Sequence, residues 1–293
     1  MTDPPIAQAR LQQVQCLGSL GMHRMAYWEW GSAAHPRVLV CVHGLSRQGR
    51  DFDTLARSLC EHYRVVCPDV VGRGRSDWLA DPMGYSLPAY VADMVTLLAR
   101  LNADTVHWVG TSMGGLIGLG LAAQPGSPIS RLVLNDVGPT LEPASLQRIG
   151  SYLGQPQRWA SEDEAADALW AISQSFGPHS RDQWLALTRP QLRADGAGFV
   201  PRSDPAIALP FRLITPELAR LGEAALWQAY DQIRCPTLLL RGEQSDLLSP
   251  ATARAMAERG PRAQLRTVPG VGHAPTLVAS EQLQWVREFL LAD

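Results

Sequence analysis

The sequence lacks the cysteine pattern of a disulfide-stapled or zinc-binding protein. Its 293 residues include only five cysteines, an odd number at scattered positions: Cys16, Cys41, Cys60, Cys67 and Cys235. A zinc site would need paired ligands at short spacing, and none occurs. Three of the cysteines lie in or beside apolar runs, which is typical of buried, reduced thiols in a cytoplasmic protein. We therefore expect no metal and a cytoplasmic location.

Strong charge asymmetry and long apolar runs are also missing. The formal net charge is −2, with no basic or acidic run, so nothing indicates nucleic acid or an anionic membrane as a partner. No window approaches about 18 uninterrupted apolar residues, and residues 1–15 lack a basic start followed by an apolar core. We expect no membrane span and no signal peptide. With 46% hydrophobic and 18% charged residues, the chain can bury a sizeable core.

Short apolar runs alternate with helical patterns along most of the chain. The runs are rich in Val and Leu and end in Gly, Pro, Asn or Asp, as strands covered on both faces of a parallel sheet do. They are 37–44, 64–69, 105–110, 131–136, 236–242 and 263–268. Helices are predicted over 51–63, 86–101, 113–124, 249–260 and 280–293. This alternation predicts an α/β fold with a doubly wound sheet, and residues 12–18 and 23–31 resemble an antiparallel hairpin at one edge.

The alternation is interrupted between about Pro139 and Tyr230. This stretch is rich in helix formers and carries four tryptophans: Trp159, Trp170, Trp184 and Trp227. It is interpreted as a helical insertion between two strands. The tryptophans can form a small core of their own or line a pocket, and the sequence leaves both possibilities open.

The segment 105-TVHWVGTSMGGLIGLGLAAQ-124 places a serine between a predicted strand and a predicted helix. Its centre, Gly110-Thr111-Ser112-Met113-Gly114, has the G-x-S-x-G form of a nucleophile elbow. Side chains at the two glycine positions would collide in so sharp a turn. The serine hydroxyl would lie at a helix N-terminus, where unpaired N–H groups favour a developing oxyanion. The alternative is a tight turn with a capping serine.

A serine nucleophile needs a base, and the base needs an orienting acid. His273 lies in a Gly/Pro loop after a predicted strand. The chain order Ser112, Asp246, His273 is the one that this architecture uses, and all three follow predicted strands. Asp136 also ends a predicted strand and competes as the acid. The loop length of 242-GEQSD-246 favours Asp246.

These segments together resemble the α/β-hydrolase superfamily, in the branch with a helical cap after the sixth strand. The resemblance is carried by 37-RVLVCVHGLS-46, 108-WVGTSMGG-115, 236-PTLLLRGEQSD-246 and 271-VGHAP-275. It implies a mostly parallel, eight-stranded sheet with helices on both faces. It also implies a core of residues 1–138 and 231–293, with 139–230 as the cap or lid.

The resemblance assigns roles to individual residues. Ser112 would be the nucleophile, His273 the base and Asp246 its orienter. The backbone N–H groups of Leu45 and Met113 would form the oxyanion hole, and no cofactor is implied. His43, in the His-Gly loop after the third strand, would be structural.

Ser112 argues against the haloalkane dehalogenases and epoxide hydrolases of this fold, which carry aspartate at the elbow. The expected activity is therefore hydrolysis of carboxylic esters of small to medium apolar molecules. Lactone, thioester or carbon–carbon bond hydrolysis of ring-cleavage keto-acids remain alternatives, as does a ligand receptor that retains the triad. The segment Ser-Met-Gly-Gly occurs in several of these hydrolase classes and therefore does not discriminate between them.

Substrate contacts are predicted at Arg47, Trp159 and Trp184. Arg47, or Arg50 nearby, could receive a substrate carboxylate, as a keto-acid would require. The alternative is a salt bridge to Asp51 or Asp53. The two tryptophans would line an apolar pocket under the cap. The sequence does not predict the oligomeric state.

Overall fold

The computed structural model describes residues 7–19 and 21–292. Within these residues the strands are β1 (Arg10–Gly18), β2 (Gly21–Trp30), β3 (Val38–Val42), β4 (Arg64–Pro68), β5 (Val106–Thr111), β6 (Ile129–Asn135), β7 (Leu192–Asp195), β8 (Gly198–Pro201), β9 (Thr237–Gly242) and β10 (Gln264–Val268). The helices are α1 (Asp53–Leu59), α2 (Leu87–Leu101), α3 (Met113–Ala122), α4 (Pro143–Tyr152), α5 (Glu162–Ser173), α6 (Arg181–Thr188), α7 (Ala208–Arg212), α8 (Pro216–Gln232), α9 (Pro250–Glu258) and α10 (Ser280–Leu291). In this described part of the chain, no helix is both long and apolar enough to cross a membrane.

Eight strands form one sheet in the order β1-β2-β4-β3-β5-β6-β9-β10. The edge strands β1 and β2 pair antiparallel, and β2 also pairs antiparallel with β4. All the other neighbours are parallel. The predicted sheet, including its antiparallel edge hairpin, is confirmed. Because β3, β5, β6 and β9 are parallel neighbours, the loops after them meet at one edge of the sheet.

Helices cover both faces of the sheet, which explains the nearly continuous apolar strands. Every residue of β3 and of β9 is buried. On one face, α1 and α10 contribute Leu55 and Leu290 to the core, and on the other α2 and α3 contribute Leu97 and Ile117. A parallel strand that is buried on both faces exposes no side to solvent, so its sequence shows no alternation of apolar and polar residues.

The segment 139–230, predicted as a cap, lies between β6 and β9 in the chain. It contains α4, α5, α6, α7, most of α8 and the antiparallel hairpin β7–β8. Two small apolar clusters hold it together, one around Trp159 and Leu192 and one around Trp184 and Leu187. We refer to residues 139–230 as the insertion.

Candidate active site

Ser112 lies in the sharp turn between β5 and α3, with φ 51° and ψ −118°. This left-handed φ is unusual for a residue with a side chain and stores local backbone strain. The flanking glycines are required by space. A Cβ on Gly110 would overlap the carbonyl oxygen of Gly114, and one on Gly114 would overlap that of Val42. The elbow geometry expected from the sequence is therefore present.

Ser112 and His273 meet although 161 positions separate them in the chain, and their Oγ and Nε2 atoms lie 2.9 Å apart. On the other side of the ring, His273 Nδ1 lies 2.7 Å from Asp136 Oδ2. An ionised carboxylate can only accept hydrogen bonds, so Nδ1 carries the proton and Nε2 is free to accept from the serine hydroxyl. The three side chains form a continuous hydrogen-bonded relay, in the order expected for a nucleophile, a base and an acid.

The prediction that Asp246 orients His273 is wrong. The Asp246 carboxylate accepts hydrogen bonds from Arg148 Nε at 2.8 Å and Nη2 at 3.1 Å, and its side chain is 46% exposed. The lateral order of the strands explains the outcome. Strand β6, which ends just before Asp136, is the direct neighbour of the serine strand β5, whereas β9 lies one strand farther away. Each strand adds about 4.8 Å.

Asp136 is fully buried and held in place by donors from the β9 loop. Its Oδ1 accepts from the Gly242 N–H at 2.8 Å, and its Oδ2 accepts from the Ser245 hydroxyl at 2.7 Å. Its backbone has φ 55°, the left-handed region that Asp tolerates better than most residues. Nothing in the sequence indicates a role for Ser245, although this residue directly precedes Asp246, the aspartate that was predicted to orient His273.

The backbone of the predicted oxyanion hole lies on both sides of Ser112. Met113 begins α3 directly after the serine. Leu45 belongs to the loop after β3, where a Cβ on the preceding Gly44 would lie 3.6 Å from Ser112 Cβ. Among the described residues, neither the Leu45 nor the Met113 N–H donates to another protein group. Both donors are therefore free to receive a ligand oxygen.

The buried side chain of Arg73 contacts both residues whose N–H groups are predicted to form the oxyanion hole, Leu45 and Met113. Arg73 Nε donates to the Leu45 carbonyl at 2.8 Å, and Nη2 lies 3.7 Å from Met113 Sδ. Its Nη1 donates to the Tyr90 hydroxyl at 2.9 Å. The guanidinium is fully buried. Nothing in the segment 72-GRGRSDW-78 signals that this arginine reaches the loop after β3 that carries Leu45, which we call the predicted oxyanion loop or, for short, the oxyanion loop.

His43 supports the same loop as a neutral side chain. Its Nδ1 donates to the Gly44 carbonyl at 2.7 Å, and its Nε2 accepts from the Val70 N–H at 3.0 Å. Complete burial lowers the pKa of His43 to about 3. The structural role expected for His43 agrees with these contacts.

A cavity of about 340 Å³ lies between the oxyanion loop and the insertion. Its walls include Ser46 and Arg47 of that loop, Trp78, and insertion residues such as Trp159, Arg193 and Arg202. Two predicted substrate residues, Arg47 and Trp159, therefore line a cavity.

The third predicted substrate residue, Trp184, does not line that cavity. Its indole N–H donates to the Ala166 carbonyl at 2.7 Å, and its ring packs against Trp170 at 5.0 Å between centroids. Trp184 instead belongs to an apolar cluster of the insertion, and its contact with substrate stays a prediction.

Both candidate carboxylate receptors near the oxyanion loop are already paired. Arg47 Nη2 donates to Asp51 at 2.8 Å, and Arg50 Nε donates to Asp53 at 2.6 Å. The salt bridges that the sequence left open as the alternative are present.

One buried cluster outside this site offers metal-ligand atoms. Cys16 on β1, His23 on β2 and Asp93 on α2 place one such atom each within 4.8 Å of one another. However, His23 Nε2 and Asp93 Oδ2 already share a hydrogen bond of 3.0 Å. Burial and the nearby Asp93 raise the pKa of the Cys16 thiol to about 12, whereas a metal ligand must be a thiolate. The cluster thus contains a buried polar pair beside the Cys16 thiol, and His23 Nδ1 is buried without a hydrogen-bond partner among the described residues.

The fold and the relay agree with the family to which the sequence is similar. Residues 39–288 match the model of the alpha/beta hydrolase family. The chain belongs to this family and is a hydrolase.

Individual relatives match over nearly the whole chain. The 3-hydroxybutyrate-oligomer hydrolase of Cupriavidus necator is 54% identical over 97% of this chain and 98% of its own length. A pimeloyl-[acyl-carrier protein] methyl ester esterase of Xanthomonas campestris pv. campestris is 28% identical over 85% of this chain and 92% of its own. The crystal structure of an alpha/beta hydrolase from Novosphingobium aromaticivorans superposes with a TM-score of 0.84 at 36% identity, covering 97% of this chain and 99% of that one.

Proposed function

We propose that this protein is a serine esterase that hydrolyses short oligomers of 3-hydroxybutyrate through an acyl-enzyme on Ser112. The observation that carries the chemistry is the relay of Ser112, His273 and Asp136, with contacts of 2.9 and 2.7 Å. The substrate class is supported by the 54% identity to the Cupriavidus necator enzyme over 97% of the chain. The insertion would serve as the cap over the substrate.

In the first half-reaction, His273 Nε2 takes the proton of the Ser112 hydroxyl while Oγ attacks the ester carbonyl. The carbonyl π electrons move onto oxygen, and the Leu45 and Met113 N–H groups donate to the resulting oxyanion. Asp136 stabilises the imidazolium without taking its proton. Collapse of the tetrahedral intermediate breaks the ester C–O bond, and the leaving alkoxide receives the proton from His273.

In the second half-reaction, water repeats these steps against the acyl-enzyme. His273 takes a proton from the water as its oxygen attacks the acyl carbon, and Ser112 leaves with that proton. The products are a hydroxyl-ended and a carboxyl-ended fragment. The chemistry requires no cofactor, since every proton is handled by His273.

The alternative of carbon–carbon hydrolysis of keto-acids depended on Arg47 or Arg50 receiving a carboxylate. Both guanidinium groups are occupied by Asp51 and Asp53. No observation now favours that alternative over ester hydrolysis.

The test is Ser112→Ala, assayed on the dimer and trimer of 3-hydroxybutyrate and on p-nitrophenyl butyrate. We expect kcat to fall at least about 10³-fold on all three, with loss of fluorophosphonate labelling. Ser151→Ala, an exposed serine on α4, is the matched control and should leave rates unchanged. Near wild-type turnover by Ser112→Ala would refute the nucleophile. Turnover of p-nitrophenyl butyrate but not of the oligomers would refute the substrate class.

A further inference from the structure

The cavity beside the oxyanion loop has apolar walls with two unpaired cations. Its volume of about 340 Å³ is at the lower end of the usual range for small-molecule sites, about 300–1,000 Å³. Apolar surface comes from Trp159, Leu169, Ile172 and Val200. Ser46 and Arg47 in its wall directly follow Leu45 in the chain, and the Leu45 backbone N–H is proposed to bind the oxyanion.

The unpaired charge comes from two arginines of the β7–β8 hairpin region. Arg193 lies in β7, and Arg202 directly follows β8. Arg202 is half-buried, and its Nε and Nη2 donate only to the Leu192 carbonyl, at 3.1 and 2.8 Å. The Arg193 guanidinium lies over the Trp78 ring, 5.8 Å from its centroid. Within residues 7–19 and 21–292, neither forms an ion pair with a carboxylate.

The acidic groups nearby are engaged elsewhere. Asp204 also lines the cavity, but its carboxylate accepts from the Tyr85 hydroxyl at 2.5 Å and from the Ala206 N–H at 2.9 Å. Asp51 neutralises Arg47. Burial, reinforced by repulsion from Arg75 and Arg193 and partly offset by the buried carboxylate of Asp69, lowers the pKa of Arg202 below its ordinary value. An anion entering the cavity would relieve both penalties.

We propose that Arg202, assisted by Arg193, binds the free carboxylate at the end of the substrate chain. This inference rests on the proposed function, because an oligomer of a hydroxy acid carries one terminal carboxylate and methyl-bearing apolar segments. A guanidinium fork matches a carboxylate in geometry and charge, and the apolar walls match the methyl groups. The carboxylate anchor then sets which ester bond, counted from the carboxyl end, reaches Ser112.

The experiment compares the 3-hydroxybutyrate dimer with its methyl ester, which lacks the charge but keeps the ester bond between the two units. Because the methyl ester is itself a second cleavable bond, its KM is taken from the release of methyl 3-hydroxybutyrate, which reports only the bond between the units. Wild-type enzyme should bind the free acid better, so that the ratio of KM for the methyl ester to KM for the acid exceeds about ten. Arg202→Gln should bring this ratio close to one, and Arg202→Lys should give an intermediate value. Because the KM ratio compares two substrates on the same enzyme preparation, a loss of folded enzyme in a variant does not change the ratio. Arg189→Gln is the matched control, since Arg189 is exposed and already paired with Glu162.

A second readout does not depend on turnover of oligomers. 3-Hydroxybutyrate itself should inhibit hydrolysis of p-nitrophenyl butyrate competitively, with an inhibition constant about tenfold higher in Arg202→Gln. Equal KM for acid and methyl ester in the wild type, with both cleaved, would overturn the subsite and leave the proposed function standing. Failure of the wild type to cleave either, together with no inhibition by 3-hydroxybutyrate, would overturn both.

Discussion

Replacing Asp136 and Asp246 in turn tests which of these two aspartates orients His273. In Asp136→Asn, one amide oxygen must serve three donors that now share a carboxylate: Gly242, Ser245 and His273. If the oxygen stays with the Gly242 N–H, the amide N–H₂ faces His273 and forces Nδ1 to accept. Nε2 then carries the proton and cannot take one from Ser112. We expect kcat to fall about 10³- to 10⁴-fold, equivalent to about 4–5.5 kcal/mol of transition-state stabilisation.

The matched control is Asp246→Asn, which removes a carboxylate paired only with Arg148 at the surface. Its kcat should change less than about twofold, because exposed ion pairs contribute little and this one does not contact His273. Steady-state kinetics on p-nitrophenyl butyrate and on the 3-hydroxybutyrate dimer, with circular dichroism to confirm folding, make the comparison. A folded Asp136→Asn enzyme within tenfold of the wild type, or an Asp246→Asn enzyme that is the more damaged of the two, would refute the assignment.

Two further predictions concern the residues around the relay. Ser245→Ala removes the 2.7 Å hydrogen bond to Asp136 and should lower kcat about tenfold with KM unchanged, whereas Ser245→Thr should restore most of it; an effect on KM alone would contradict a positioning role. The second prediction is that acid weakens the fold through His43, whose folded-state pKa of about 3 lies below its ordinary value of about 6.5. As pH falls, His43 therefore binds its proton in the unfolded state first. The contribution of neutral His43 to the free energy of unfolding is fully present above about pH 6.5, and it is lost by about 1.4 kcal/mol per pH unit as pH falls from there toward 3. Urea unfolding between pH 7.5 and 4.5 should show this slope in the wild type and a shallower one in His43→Gln, and equal slopes would contradict it.

Local sequence determined the helices and strands and two of the three members of the relay, Ser112 and His273. The five buried residues of β3, four of them Val or Leu, and the apolar run of β9 could be recognised as central parallel strands, because burial on both faces leaves no polar alternation. Gly110 and Gly114 bracket Ser112 for a steric reason that is readable from the residues alone. His273 could be found because chain order and loop position leave few histidines for the base.

The acid and the substrate contacts were decided by tertiary structure. Asp136 and Asp246 both follow parallel strands, and nothing within either segment records which strand lies beside the serine strand. The lateral order β5-β6-β9 places Asp136 nearer, and its left-handed backbone lets it contact His273. Likewise, a tryptophan or arginine has the same identity in a core, an ion pair or a cavity wall. Packing alone made Trp184 part of the insertion's core, paired Arg47 with Asp51 and left Arg202 without a carboxylate, since each outcome depends on neighbours distant in the chain.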